Sequence, residues 1–241
     1  MIDWLKRDPR AVPVIEIGER RLPIIVRRLA HARRLTLRLA PDGSEVRVSM
    51  PRWGRTGEAL TFARARAAWL ARQLEAVPET NAPKPGGRIA FRGDPLRIEH
   101  GETAPRRVRL EDGTILIGGP VATLPMRLRR WLEAEARRLF AEDLADYCLR
   151  AEQPLARLAR SNARRRWGSC SAKGTVRLNW RLVMAPDAVR RSVVAHEVAH
   201  LVHFDHSPRF HRLLAEIYED DIAAANRWLK REGRGLHATF G

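Results

Sequence analysis

The histidine-rich segment VVAHEVAHLVHFDHSPRFH constrains the fold more than any other stretch of the chain. It covers residues 193–211 and holds five of the eight histidines. Within it, HEVAH places His196 and His200 four residues apart, where the side chains of an α-helix project from the same face. Two imidazole rings on one face can share a zinc ion, and Glu197, about 100° around the helix, can reach a water on that ion. The motif therefore predicts a helix that carries a hydrolytic zinc centre, with Glu197 as the general base.

The third zinc ligand is less well determined by the spacing. A catalytic zinc site takes three protein ligands and leaves one position open. His206 is favoured, because Ser207 and Pro208 are typical of a helix start and require the chain to turn at residues 204–205. His203 would still lie on the first helix and point roughly along the ligand face. The next helix contributes three more candidates, which are His211, Glu216 and Glu219.

The first 120 residues predict a β-rich region with one helix. Residues 33–50, RRLTLRLAPDGSEVRVSM, alternate apolar and polar side chains on both sides of a turn at Pro41-Asp42-Gly43, which is typical of a half-buried antiparallel pair. Apolar spacings of three and four predict one amphipathic helix from Thr56 to Ala76, ended by the loop VPETNAPKPGG. Residues 87–100 and 106–118 add two further β segments, each with a Gly-Asp or Asp-Gly turn at its middle.

Helices dominate after residue 120. Residues 124–150 predict a long amphipathic helix, and the alternation from Val176 to Leu182 predicts a strand with one buried face. The HEVAH helix should begin near Pro186-Asp187. We therefore predict an α+β fold with two regions, residues 1–120 and residues 121–241.

The composition is strongly basic, with a net charge of +17 and a pI near 11.4. Such a surface attracts nucleic acid or other polyanions. However, only four of the 45 basic residues are lysine, which is typical of a GC-rich codon bias, so both interpretations stay open. Cys148 and Cys170 form no CxxC motif and are expected to be reduced. No long apolar run and no signal peptide occur, so we expect a cytoplasmic protein that does not bind a membrane.

A resemblance covers nearly the whole chain. RRRWGSCSAKGTVRLNWRLVMAP, followed by VVAHEVAHLVHFDHSPRF, resembles the YgjP-type metallopeptidases, minimal zincins related to the SprT-like proteases. The matching residues are Trp167, Gly168, Ser169, Cys170, Asn179, Trp180, His196, Glu197, His200, His206, Ser207 and Phe210. One departure is His211, where the family usually has an aromatic residue such as tryptophan.

The resemblance implies a zinc-dependent peptidase that acts on peptide or protein substrates. It implies His196, His200 and His206 as the zinc ligands and Glu197 as the base, in a helical zincin-like region over residues 121–241 with a small β-hairpin. Zinc lowers the pKa of its water from about 15.7 towards about 7, and the glutamate takes the proton as the peptide carbonyl is attacked.

Three questions accompany this prediction. Ser169 and Cys170 could be nucleophiles, but the nearby histidines, which would have to serve as their base, are better used on zinc. The strand from Val176 to Leu182 is either an edge strand that holds an extended peptide or an ordinary interior strand. The rival function is a nucleic-acid-associated protein with a structural or vestigial zinc site, and a peptidase that acts on DNA-bound proteins would combine the two.

Overall fold

The computed structural model of the protein describes residues 12–40, 43–75 and 82–240. The fold is α+β, as predicted, with six helices and three small sheets in these ranges. The chain divides into two compact units, Met1–Glu79 and Thr80–Gly241. The division at residue 120 marks a change in secondary structure, and as a domain boundary it stays a prediction.

The first unit is built on a four-stranded sheet in the order β1-β2-β4-β3. Its strands are β1 (Val14–Ile17), β2 (Arg20–Leu29), β3 (Thr36–Leu39) and β4 (Val46–Pro51). The predicted antiparallel pair is confirmed, because β3 and β4 are paired with Leu37 opposite Val48. Pro41 and Asp42 of the predicted turn lie outside the described residues. β2 and β4 are parallel neighbours, which the sequence pattern did not indicate.

The single helix predicted from Thr56 to Ala76 is wrong, because two helices occupy this segment. They are α1 (Thr56–Arg64) and α2 (Ala67–Glu75), and Ala76 lies outside the described residues. The periodicity does not reveal the break, since the buried residues Ala63 and Leu70 on either side of it are two helical turns apart. Both helices pack on the sheet of this unit.

The second unit contains a sheet in the order β5-β6-β8-β7. Its strands are β5 (Arg88–Phe91), β6 (Asp94–Gly101), β7 (Arg109–Glu111) and β8 (Thr114–Gly118). The two predicted β segments are therefore confirmed. The long helix α3 (Leu124–Arg150) has the predicted extent and shares one apolar core with this sheet and with the helices that follow.

A three-stranded sheet follows α3, in the order β10-β11-β9. Its strands are β9 (Arg157–Ser161), β10 (Gly168–Cys170) and β11 (Thr175–Asn179). The strand predicted to run to Leu182 ends at Asn179 instead, because the Asn179 side chain accepts a hydrogen bond from the Arg181 N–H and caps a 3-10 helix over Trp180–Met184. β11 is the central strand, so it is an interior strand, and the edge strands are β9 and β10.

Three helices complete the second unit. They are α4 (Asp187–Val202), α5 (Pro208–Ile217) and α6 (Ile222–Ala238). Both predicted helix starts are confirmed, and the Ser207 hydroxyl accepts a hydrogen bond from the Phe210 N–H at 3.5 Å. Across the described ranges, no helix is both long enough and apolar enough to span a membrane. The cytoplasmic location stays a prediction.

Candidate metal centre

Helix α4 carries the first two histidines of the candidate metal centre. Four residues of α4 are fully buried, namely Val194, Ala195, Val198 and Ala199, so the helix is fixed in the core of the second unit. His196 and His200 lie one turn apart, and their Nε2 atoms are 3.2 Å from each other. The local periodicity of the helix is sufficient to produce this pair.

The turn between α4 and α5 brings the third histidine to the same place. α4 ends at Val202 and is followed by the extended residue His203, while α5 begins at Pro208. His206 lies in this turn, with its Nε2 atom 3.3 Å from the Nε2 atom of His196. One donor atom from each of the three histidines lies within 4.8 Å of the others. In the described part of the chain, no other three such side chains converge in this way.

Phe210 forms a common base for the three imidazole rings. Its ring is fully buried, and its centroid is 5.0 Å from that of His196, 4.5 Å from that of His200 and 4.9 Å from that of His206. The sequence placed this residue in the apolar stripe of α5 but did not show that all three rings pack against it. The contact restricts the rotamers of the histidines before any metal binds.

Backbone geometry determines the tautomer of one histidine. The Nδ1 atom of His200 lies 3.0 Å from the carbonyl oxygen of His203. Since a carbonyl only accepts, Nδ1 carries the proton and Nε2 keeps a free lone pair for a metal. His203 therefore contributes through its backbone, and its side chain is outside the group. His211 is also outside it, with its ring centroid 6.4 Å from that of His206.

His196 fits a metal ion in protonation state as well as in position. Burial, followed by the neighbouring His200, His206 and His211, lowers the pKa of His196 to about 4. The ring is therefore neutral at pH 7, and neutral imidazole is the form that binds a metal. A set of three histidine nitrogens is a known donor set for catalytic zinc.

Glu197 lies on α4, and its side chain packs against the edge strand β10. Only 6 % of its surface is exposed, and its carboxylate accepts a hydrogen bond from the backbone N–H of Cys170. A Cβ atom at Gly168 would lie 2.4 Å from Oε1 of Glu197, so the approach requires glycine at this position. Burial raises the pKa of Glu197 to about 7, against the opposing effects of the Cys170 N–H and of Arg166.

The role of Gly168 was missed by sequence reasoning, although the glycine stands in the WGSC motif. Cys170, in the same motif, is a free and half-buried thiol. Burial, followed by the Glu197 charge, raises its pKa. A protonated thiol is a poor nucleophile, which agrees with the prediction against covalent catalysis.

A model of the YgjP-like metallopeptidase domain family matches residues 33–232. The chain belongs to this family. Membership makes it a metallopeptidase, with a metal ion and with peptide or protein substrates. No curated protein and no solved structure shows a significant match to the chain.

A pocket of about 200 Å³ opens beside helix α4 of this YgjP-like metallopeptidase. Its lining combines His196 of the candidate centre and the adjacent Glu197 with an otherwise largely apolar wall. The remaining lining residues are Trp167, Gly168, Ser192, Val193, Leu214, Ile222, Asn226 and Leu229. The pocket therefore joins the candidate centre to residues of β10, α5 and α6.

The carboxylates considered as possible third ligands lie elsewhere in the YgjP-like fold. Glu219 accepts hydrogen bonds from Tyr147 at 2.9 Å, from Arg150 at 2.8 Å and from Arg191 at 2.5 Å. Burial raises the pKa of Glu219, but the hydrogen bonds from Arg191, from its own backbone N–H and from Tyr147 together outweigh burial and lower the pKa to about 2. Glu216 is exposed and is likewise outside the histidine group.

Proposed function

We propose that the protein is a zinc-dependent peptidase in which His196, His200 and His206 hold the metal and Glu197 acts as the general base. The observation that carries the proposal is the convergence of three histidine Nε2 atoms. A buried glutamate lies beside them, on the helix that carries His196 and His200. Histidine nitrogens favour zinc over the hard cations calcium and magnesium, which prefer oxygen ligands.

The number of ligands supports a catalytic rather than a structural site. Structural zinc sites are closed by four protein ligands, whereas catalytic sites use three and leave a position for water or substrate. Among the described residues, the converging group contains three histidines and no fourth side chain. His206 is also exposed, so the centre is open to solvent. These features favour the peptidase over the nucleic-acid-associated protein with a structural site.

Glu197 would move the proton during hydrolysis. A bound zinc ion supplies the Lewis acidity that makes water a nucleophile near neutral pH. The Glu197 carboxylate would take the proton of the attacking water and later deliver it to the nitrogen of the leaving amine. The Cys170 N–H orients the carboxylate for this task, because it holds the carboxylate at the edge strand.

The substrate that fits best is an extended peptide with one apolar side chain in the pocket. An edge strand such as β10 can add a peptide strand through main-chain hydrogen bonds. The pocket beside Glu197 is lined by Val193, Leu214 and Leu229, which favour an apolar group. Specificity would then arise mainly from this pocket.

The Glu197→Gln variant tests the proposed function. We expect it to retain the wild-type metal content, measured by mass spectrometry of the metal, because it leaves the three histidines in place. Its hydrolysis of a fluorogenic peptide pool should fall by about 10²–10⁴-fold, the usual contribution of a general base. Glu216→Gln is the matched control, since this glutamate is exposed and outside the histidine group, and it should retain full activity. Unchanged turnover in Glu197→Gln would refute the proposal.

A further inference from the structure

Arginines gather at one end of the four-stranded sheet of the first unit. β2 and β4 run parallel with Leu29 opposite Pro51, so both strands finish at the same end of the sheet. β3 is antiparallel to β4, with Thr36 opposite Ser49, and therefore begins at this end of the sheet. The sheet thus brings together three segments that are separate in sequence. These segments carry six arginines, which are Arg27, Arg28, Arg33, Arg34, Arg52 and Arg55. We call these arginines, together with Trp53, the arginine–tryptophan end.

Trp53 is the most unusual residue of this end. Its side chain is 81 % exposed, although indole is among the largest apolar groups that a fold can bury. It lies in a tight turn between Arg52 and Arg55, closed by a hydrogen bond of 3.1 Å from the Gly54 N–H to the Pro51 carbonyl oxygen. The indole is therefore presented to solvent from a turn that also carries two exposed arginines.

The charge of this end is compensated only in part, at Arg55, whose backbone N–H donates to Oε2 of Glu58 at 3.2 Å. No carboxylate of the described residues forms an ion pair with Arg27, Arg33, Arg34 or Arg52, and Arg28 donates to the neutral Thr56 hydroxyl at 2.8 Å. Three of the six arginines of α3 form ion pairs, and one of them is Arg150, with Asp146. Arg129 pairs with Glu133 and Arg138 pairs with Glu135 and Glu142. Among the described residues, a larger share of the arginines is therefore without an ion pair at the arginine–tryptophan end than on α3.

We propose that the arginine–tryptophan end binds single-stranded nucleic acid, which goes beyond the peptidase function and does not depend on it. Guanidinium groups bind phosphodiester oxygens in a bidentate fashion, and an exposed indole stacks on an unpaired base. The bases of a duplex are already stacked, so a single strand suits Trp53 better. A membrane surface fits less well, since among the described residues at this end Leu29 is the only other exposed large apolar side chain.

Binding of the full-length protein to fluorescein-labelled oligo(dT) and oligo(U), measured by anisotropy over a salt series, tests the proposal. Strands of about 20 nucleotides exceed a typical binding site. We expect one or both single strands to bind more tightly than a duplex of the same length, with affinity that falls steeply as salt is added. The comparison of the two strands distinguishes DNA from RNA as the source of the phosphodiester.

Two variants separate the charge from the stacking. Arg33→Glu combined with Arg34→Glu should weaken binding and reduce the slope of log affinity against log salt by about 1.4, or about 0.7 for each lost phosphate contact. Trp53→Ala should weaken binding by about fivefold or more and leave this slope unchanged. Since Trp53 is exposed, its replacement should not affect folding, and circular dichroism checks this.

The matched control is Arg107→Glu combined with Arg109→Glu, which changes the net charge equally at exposed arginines of the second unit. It should bind oligo(dT) and oligo(U) almost as the wild type does. Equal losses in the two double variants, no effect of Trp53→Ala, tighter binding of the duplex, or binding only to phosphatidylserine vesicles would overturn the proposal. Glu197→Gln should bind as the wild type does, so the outcome is independent of the peptidase assignment.

Discussion

The Gly168→Ala substitution tests whether the close approach of β10 positions the carboxylate of Glu197. The added Cβ atom would lie 2.4 Å from Oε1, 2.6 Å from Cγ and 2.8 Å from Cδ of Glu197, whereas ordinary contact begins at 3.4 Å. The carboxylate or the strand must therefore move by about 1 Å, a displacement that costs about 10²-fold in rate at a catalytic group. We expect kcat for peptide hydrolysis to fall by about this factor.

The assay compares kcat on a fluorogenic peptide with metal content in the same preparations. Metal content should not change, because the three atoms closest to the added Cβ atom all belong to Glu197 and not to a histidine. Gly235→Ala is the control, since a Cβ atom there meets nothing within 4 Å.

A double-mutant cycle shows whether the effect acts through the carboxylate. In the Glu197→Gln background, Gly168→Ala should cause little further loss, because the base is already absent. Wild-type kcat in Gly168→Ala, or an equal loss in both backgrounds, would refute the positioning role of Gly168.

Three further predictions concern the proposed ligand His206, the packing of Phe210 and the ion pair of Glu219 with Arg191. His206→Ala should lower metal affinity by more than about 10²-fold, because loss of a residue that only hydrogen-bonds to a metal ligand already costs about 10–100-fold. His211→Ala should bind metal normally, and a chelator competition measures both variants. Phe210→Ala should reduce the free energy of unfolding by about 3–5 kcal/mol in urea denaturation and weaken metal binding as well, because the three rings lose their common contact. Glu219 has a folded pKa of about 2, below its ordinary value of 4.5, so its stabilising effect is present above about pH 4.5 and is lost as the pH falls towards 2. Arg191→Met should therefore lower the Tm at pH 7 and make the fall in Tm towards pH 3 smaller, and an unchanged acid profile would contradict this.

Local patterns were sufficient to predict much of the fold. The antiparallel pair of β3 and β4, the long helix α3 and the helix that carries HEVAH all depend on periodicity within one segment. The errors concern where elements end. The periodicity continues through the break between α1 and α2, and the Asn179 side chain ends β11 although the apolar alternation continues.

The sequence by itself determined the pairing of His196 with His200 and the position of Glu197 beside them, because helical geometry acts over four residues. It also favoured His206, since Ser207 and Pro208 mark a new helix directly after it. Only the tertiary structure decided which groups surround these side chains. The packing of Phe210 under three rings and the approach of Gly168 to Glu197 join residues from different elements.

The same division applies to the charge. The sequence contains the arginines of the first unit, but the basic composition of the chain agreed with polyanion binding and with codon bias alike. The parallel pairing of β2 with β4 gathers them at one end of the sheet, where most of the described arginines have no ion pair, whereas Arg129, Arg138 and Arg150 of α3 find acidic partners one turn away. The physical reason is that ion pairing on a helix is local, while the gathering of strand ends depends on sheet register, which no single segment specifies.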